Sequence, residues 1–193
     1  QTKKAEGEKC AVCWKITKNG CARHSNWKAM QIKKKIIFCS LIVVAIFLLD
    51  RFTKLYVLSL VEIHNHVDIF VTSFLNIYLV WNKGIAFGLL NFEQSEIYNL
   101  ITGIIAIISL AILVTIIKLK DIRVYFLSFI FAGAIGNLFD RLYYTAVPDF
   151  IDLHINNFHW FIFNVADIFI SFGVICLILV ELIFDKYLIN ENK

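Results

Sequence analysis

The sequence predicts an all-α membrane protein, with four transmembrane helices and a small outward-facing β-sheet region. Three observations predict it. Apolar residues make up 59% of the 193 residues and charged residues only 18%, against roughly 25% charged in an ordinary soluble domain. The mean hydropathy is +0.72. The apolar residues gather into long runs, and the whole chain has one proline. Such runs suit helices that must satisfy their own backbone groups inside lipid.

Four segments have the composition to cross a bilayer, which takes roughly 20 residues. They run from about Ile36 to Val57, Ile97 to Ile117, Val124 to Phe139 and Phe161 to Phe184, the third being the shortest. The first begins after basic residues, as a cleaved signal peptide would. It closes on Leu48-Leu49-Asp50-Arg51 rather than on small residues, so it reads as a retained helix.

Basic residues set the orientation. Lys33, Lys34 and Lys35 precede the first span, Lys118, Lys120 and Arg123 lie between the second and third, and Lys186 and Lys193 follow the fourth. With four alternating spans these all fall on one side, which is cytoplasmic by the positive-inside rule. Both termini are then cytoplasmic, and the connections 62–96 and 141–160 face outward. These lysines also account for most of the net charge of +4, so the charge implies no nucleic-acid partner.

Composition changes near Met30, the only methionine. Residues 1–29 are polar and read as an appendage to a membrane domain spanning 30–193, so the chain reads as a fragment or a fusion. The appendage holds Cys10-x-x-Cys13 and Cys21-x-x-His24. Three thiolates and one imidazole at that spacing suit a tetrahedral structural zinc; the alternative is a reduced, unordered tail. Residues 6–14, Glu-Gly-Glu-Lys-Cys-Ala-Val-Cys-Trp, also resemble the C-terminal zinc-binding segment of isoleucyl-tRNA synthetase. Cys39 and Cys176 lie alone in apolar runs and read as small buried hydrophobes.

The connection 62–96 is too long for a simple helical hairpin. Ile69 and Val71, then Leu75, Ile77 and Leu79, alternate with other residues, a strand-like period, and Asn82-Lys83-Gly84 supplies a turn signal. A small sheet half-embedded in the outer leaflet is expected there.

Polar groups at membrane depth are costly and are therefore functional candidates. Asp50 and Lys54 are four apart, on one helix face. Gly133 and Gly136 allow close helix contact, and Asn137 and Asp140 share a face beside Arg141. Asn164 and Asp167 open the fourth span. Two helix ends thus bring Asp149 and Asp167 to the same outer rim. Neighbouring carboxylates do not both ionise easily, so one holds a proton while the other can act as a general base. Such a pair can hydrolyse a peptide bond without metal or covalent intermediate. From spacing alone, a hydrogen-bonded structural pair stays open, as do a small cation transporter and a non-catalytic membrane assembly factor.

Taken together, four motifs resemble the lipoprotein signal peptidase (signal peptidase II) family over residues 36–185. They are Asp50-x-x-x-Lys54; Asn82-Lys-Gly84-Ile-Ala86-Phe87; Gly136-Asn137-Leu-Phe-Asp140-Arg141 with Asp149-Phe150-Ile151; and Phe163-Asn164-Val-Ala166-Asp167. The resemblance implies an aspartyl endopeptidase of the bacterial inner membrane whose catalytic dyad is Asp149 and Asp167. Asn82, Gly84, Asn137, Asp140, Arg141 and Asn164 would line and order the site, and Asp50 and Lys54 would support it. The implied substrate is a diacylglyceryl-modified prolipoprotein, cut on the amino side of the lipid-bearing cysteine among membrane lipids. No catalytic cofactor is implied. Residues 30–193 offer no clustered His/Cys metal set and no Ser/His pair. Two positions depart from the family pattern. Thr145 stands where the family usually has Gly, and Pro148 stands where a small aliphatic residue is commoner.

Overall fold

The computed structural model describes the backbone of residues 11–64, 66–84, 95–155 and 158–191, and the side chains of 32–64, 66–84, 96–155 and 158–183. The contacts divide the chain into Gln1–Phe38 and Cys39–Lys193. Among the described residues, four helices and four strands follow in order: α1 Ala11–His64, β1 Asp68–Thr72, β2 Leu75–Asn82, α2 Ser95–Lys118, α3 Arg123–Tyr144, β3 Val147–Ile155, β4 Phe158–Phe163 and α4 Val165–Glu191. The proposed ligands Cys10, Cys13, Cys21 and His24 lie outside the residues whose side chains are described, as do Ala86 and Phe87.

Among the described residues, three helical segments are long and apolar enough to cross a membrane: Ile32–His64, Glu96–Lys118 and Val165–Ile183. The third expected segment is helical, as α3, 22 residues long. It is not among those three, because Ser128, Asn137, Asp140 and Arg141 dilute its apolar character. The fourth span starts later than expected. Residues 158–163 form β4, and the helix opens only at Val165.

The four strands make one antiparallel sheet in the order β1-β2-β3-β4. The two expected strands are β1 and β2, which pair Ile69 with Ile77. The sheet is larger than the sequence suggested: the start of β3 and most of β4 lack alternation, although Ile151, Leu153 and Ile155 of β3 do alternate with Asp152 and His154. Residues Val147 to Phe150 are all buried, and β4 is a nearly continuous apolar run. Such a run cannot be told from a buried helix by periodicity. Pro148 faces Trp81 of β2, while the β4 pairings begin only at Ile151. It therefore sits where β3 has one partner strand, and a residue with no N–H is tolerated there.

α3 and α4 meet through small residues. A Cβ on Gly133 would lie 2.5 Å from the Ala166 carbonyl oxygen, and one on Gly173 would lie 2.8 Å from that of Phe126. Among the described residues, buried apolar side chains form two small clusters, one of Cys39, Ile116 and Val124, the other of Val57, Val67 and Phe150, and a few others such as Ile46 and Ala132 are buried outside them. Many large apolar side chains face outward, among them Phe52, Ile107 and Ile178. The largest fully buried side chains include Lys54, Asn164, Asp50, Asp140 and Asp149. Apolar outside and polar inside is the arrangement lipid favours, since helices there lose nothing by exposing Ile and Phe.

Candidate active site

The centre is built from five elements, with β2 supplying Asn82. α1 supplies Asp50, Arg51 and Lys54. The C-terminal half of α3 supplies Asn137, Asp140 and Arg141. β3 supplies Asp149, and the start of α4 supplies Asn164 and Asp167. β2 ends at Asn82.

Asn164 stands immediately before α4 and caps it. Its Oδ1 accepts the Asp167 backbone N–H, and Asp167 Oδ2 accepts the Asn164 backbone N–H, both at 3.2 Å. This reciprocal pairing is a capping box, in which side chains at the cap and three residues on satisfy the first free N–H groups. With its oxygen so engaged, Asn164 turns its amide to Asp149, and Nδ2 donates to Oδ1 at 2.6 Å. Asn82 Nδ2 donates to the other oxygen of Asp149 at 2.8 Å. The Asn82 side chain is fixed in turn by the Gly84 N–H, 2.8 Å from its Oδ1. Asn137 Nδ2 donates to Asp167 Oδ1 at 2.9 Å.

Behind these carboxylates lies an ionic cluster. Lys54 Nζ donates to Asp50 at 2.9 Å, to Asp140 at 2.7 Å and to Asn137 Oδ1 at 3.0 Å. Arg51 grips Asp140 with both terminal nitrogens, at 2.5 and 2.7 Å, and reaches Asp50 at 2.8 Å. Asp50 Oδ1 also accepts the Ala166 N–H at 3.0 Å, placing a negative charge at the positive end of α4. Gly136 lets this happen, for a Cβ there would lie 2.9 Å from Asp50 Oδ2. Arg141 donates to the Gly84 carbonyl oxygen. Its guanidinium lies 5.5 Å from the Tyr98 ring centre, and the Tyr98 hydroxyl donates to the Arg141 carbonyl.

Asp50, Asp140, Asp149 and Asp167 are buried here, with Lys54 and Arg141 buried and Arg51 nearly so. Four carboxylates face three cations among the described residues. One proton on the Asp149–Asp167 pair makes the cluster neutral, which burial favours. Burial, and then the charge of Asp167, push the Asp149 carboxyl up to about 7, against the donors Asn82 and Asn164 and the charge of Lys54.

Every described residue expected at the site is in this network. Arg51 was overlooked. It was read only as the end of an apolar run, although a charge beside Asp50 at membrane depth was the available signal. A second expectation is overturned. Asp152, His154 and His159 converge in the sheet, with one ligand atom of each within 4.8 Å of the others, so residues 30–193 do contain a clustered metal-ligand set. Strand pairing creates it, bringing His159 beside His154.

A family model described as signal peptidase (SPase) II matches residues 42–184. The chain belongs to the signal peptidase II family. That makes it an aspartic endopeptidase with membrane-spanning helices. It is 53% identical over 164 residues to the lipoprotein signal peptidase of Pelagibacter ubique, covering 84% of this chain and 99% of that one. It is 41% identical to the Anaplasma phagocytophilum lipoprotein signal peptidase over 151 residues, 77% of this chain and 94% of the other. Among solved structures, one described as a bacterial membrane enzyme superposes with a TM-score of 0.59 at 30% identity, covering 78% of this chain and 90% of that one.

Proposed function

We propose that Asp149 and Asp167 are the catalytic dyad, and that the substrate is a diacylglyceryl-modified prolipoprotein cut on the amino side of its lipid-bearing cysteine. The observation that carries this reading is a pair of buried carboxylates held by one residue, Asn164, whose side-chain amide donates to Asp149 and whose backbone N–H donates to Asp167, with one negative charge in excess. Such a pair shares one proton.

In the reaction, Asp167 takes a proton from a water while its oxygen attacks the scissile carbonyl carbon. Asp149 gives its proton to the carbonyl oxygen, and a neutral tetrahedral diol forms. The diol returns a proton to Asp149 as the carbonyl reforms. The C–N bond breaks, and Asp167 passes its proton to the departing amine of the cysteine. Asn82, Asn137 and Asn164 hold the two carboxylates in place throughout. Asp50, Lys54, Asp140 and Arg141 fix the elements that carry them, and Gly84 orients Asn82.

α3 is the third of four spans in this reading. Its polar residues are tolerated because they face protein rather than lipid. The site lies at the α3 C-terminus and the α4 N-terminus, whereas Lys118 and Arg123 mark the other ends of α2 and α3. By the positive-inside rule the site faces the outer leaflet of the bacterial inner membrane, and both termini are cytoplasmic. Cys10, Cys13, Cys21 and His24 would hold a structural zinc on the cytoplasmic side, without a catalytic part.

The test is incubation of the purified protein with a diacylglyceryl-modified prolipoprotein, read by gel shift. The wild type should cleave. Asp149→Asn and Asp167→Asn should each insert normally and fail to cleave. Near-wild-type turnover in either variant rules the dyad out.

A further inference from the structure

We propose that Asp152, His154 and His159 form a binding site for a divalent transition metal of the zinc class, clipping β3 to β4. Asp152 and His154 are two apart on β3 and so share a face of the strand. His159 is the cross-strand partner of His154. Asp152 Oδ2 lies 2.7 Å from His159 Nδ1 and 3.7 Å from His154 Nδ1. The two imidazole rings are 5.6 Å apart.

Burial gives the second, independent observation. Asp152 is 1% exposed and His154 8%. Asp152 Oδ1 and His154 Nδ1 are both buried without a hydrogen-bond partner among the described residues. A buried acceptor left unmatched costs about 1–3 kcal/mol, and a shared cation would satisfy both atoms at once. On β2, Asn76 pairs with Asp152, and its Oδ1 is also buried without a partner among the described residues, adding an oxygen donor at the rim. Two imidazoles and a carboxylate are the donor set of borderline ions such as zinc, with room left for water. His159 is about half exposed, its side chain at 53%, which gives the ion a route in.

Asp149 and Asp152 are three apart on β3, so they point to opposite faces. The metal would therefore brace the strand that carries Asp149 without touching the dyad. It is a clip, distinct from the proton-sharing chemistry.

The experiment uses the full chain in detergent with Cys10, Cys13 and Cys21 changed to Ser, which removes the N-terminal thiolates. Zinc binding is measured by titration calorimetry, and cobalt is added separately as a spectroscopic probe. One equivalent of zinc should bind, cobalt should show d–d bands with no thiolate charge-transfer band, and the unfolding midpoint should rise with zinc. In His159→Gln and in His154→Gln the bound equivalent and the zinc-dependent midpoint shift should both be lost, with prolipoprotein cleavage retained as the check on folding. If His154→Gln fails to fold, His159→Gln alone decides, since its side chain is half exposed. Absence of zinc binding in the Cys-to-Ser protein overturns the proposal, and so does binding that survives both His changes.

Discussion

Asn164 Nδ2 donates to Asp149 Oδ1 at 2.6 Å. One amide thereby aims a carboxylate on β3 from the position just before α4, while its oxygen caps that helix. The two jobs can be separated. Asn164→Ser keeps a side-chain oxygen for the Asp167 N–H but has no donor reaching Asp149. A hydrogen bond is worth about 0.5–1.5 kcal/mol to a neutral group and up to about 3 kcal/mol to a charged one, which spans from under one to about two decades in rate. Cleavage by Asn164→Ser should fall by about that factor with little change in unfolding midpoint. Asn164→Ala should lose the same activity and about 1 kcal/mol of stability as well, the cost of a lost cap. Equal midpoints for the two variants would show that the cap contributes nothing.

The dyad's shared proton sets a pH dependence. Asp149 is raised to about 7, chiefly by burial and then by Asp167. The singly protonated pair is present below that value and is lost as pH rises through it, so cleavage should decline on the alkaline side with an apparent value belonging to the pair. Asn82 donates to the ionised form and so lowers this value. Asn82→Ala removes that donor and should move the alkaline limb to higher pH while reducing the maximal rate. A limb that stays in place, or moves down, in the pH-rate profile of Asn82→Ala contradicts this assignment.

Arg51 fastens α1 to α3 through Asp140 and lies over the Phe139 ring at 4.9 Å. Removing one partner of a buried ion pair costs about 3–5 kcal/mol, because the other charge is left uncompensated. With Arg51 slightly exposed and Lys54 still in contact with Asp140, Arg51→Ala should fall near the lower end. Roughly 3 kcal/mol corresponds to about 6–12 °C in unfolding midpoint for a chain of this size. Arg51→Lys keeps the charge but not the two-pronged grip, and should lie between Ala and wild type in thermal unfolding. Midpoints within 1–2 °C of wild type for Arg51→Ala would mean that the pair adds nothing to stability.

The site was more legible in the sequence than the sheet was. Asp50, Lys54, Asn137, Asp140 and Asp167 stand out because a polar residue in an apolar run has few innocent explanations, and helical spacing gives their shared faces. β1 and β2 show through alternation. β4 does not, because Phe158–Phe163 runs into the apolar start of α4 and the break between them is a single capping residue, Asn164. The Asp152, His154 and His159 cluster was hidden for another reason. Its members come together only through the β3–β4 register, and register is a long-range property that spacing along one strand does not encode.

Gly136 is where α3 admits the Asp50 carboxylate. A methyl group there would sit 2.9 Å from Asp50 Oδ2 and 3.6 Å from the Ala166 Cβ. Asp50 cannot swing aside without loosening Lys54, Arg51 and the Ala166 N–H. Gly136→Ala should therefore destabilise by about 1–3 kcal/mol, the usual cost of overpacking, and should lower cleavage. Gly103 in α2 is the control, since a Cβ there meets nothing within 4 Å. Gly103→Ala should be neutral or stabilising by up to about 1 kcal/mol, as in any helix interior. Chemical or thermal unfolding of the pair compares them, and equal behaviour would show that the Gly136 contact relaxes freely.

Thr145 ends α3 with φ 56° and ψ 19°, and it alone among the described non-glycine residues has positive φ. The left-handed region costs an L-residue roughly 1–2 kcal/mol, and a β-branched side chain is an outlier there. The residue is exposed, and its hydroxyl bonds only to the adjacent Tyr144 carbonyl at 2.6 Å, so little is lost by trimming it. Glycine at the position after a helix is the usual solution. Glycine gives back part of the gain through the freedom it adds to the unfolded chain, about 0.4–1 kcal/mol. Thr145→Gly should therefore stabilise by roughly 0.5–1 kcal/mol net. Asn, which tolerates this conformation, should fall between Gly and Thr, and Val should be no better than Thr. Cleavage should be unchanged in all three, because the backbone leading to Asp149 keeps its path. The midpoints of the four proteins test the order, and a Gly variant less stable than wild type would show that the loop gains from Thr145 something that its backbone angle does not reveal.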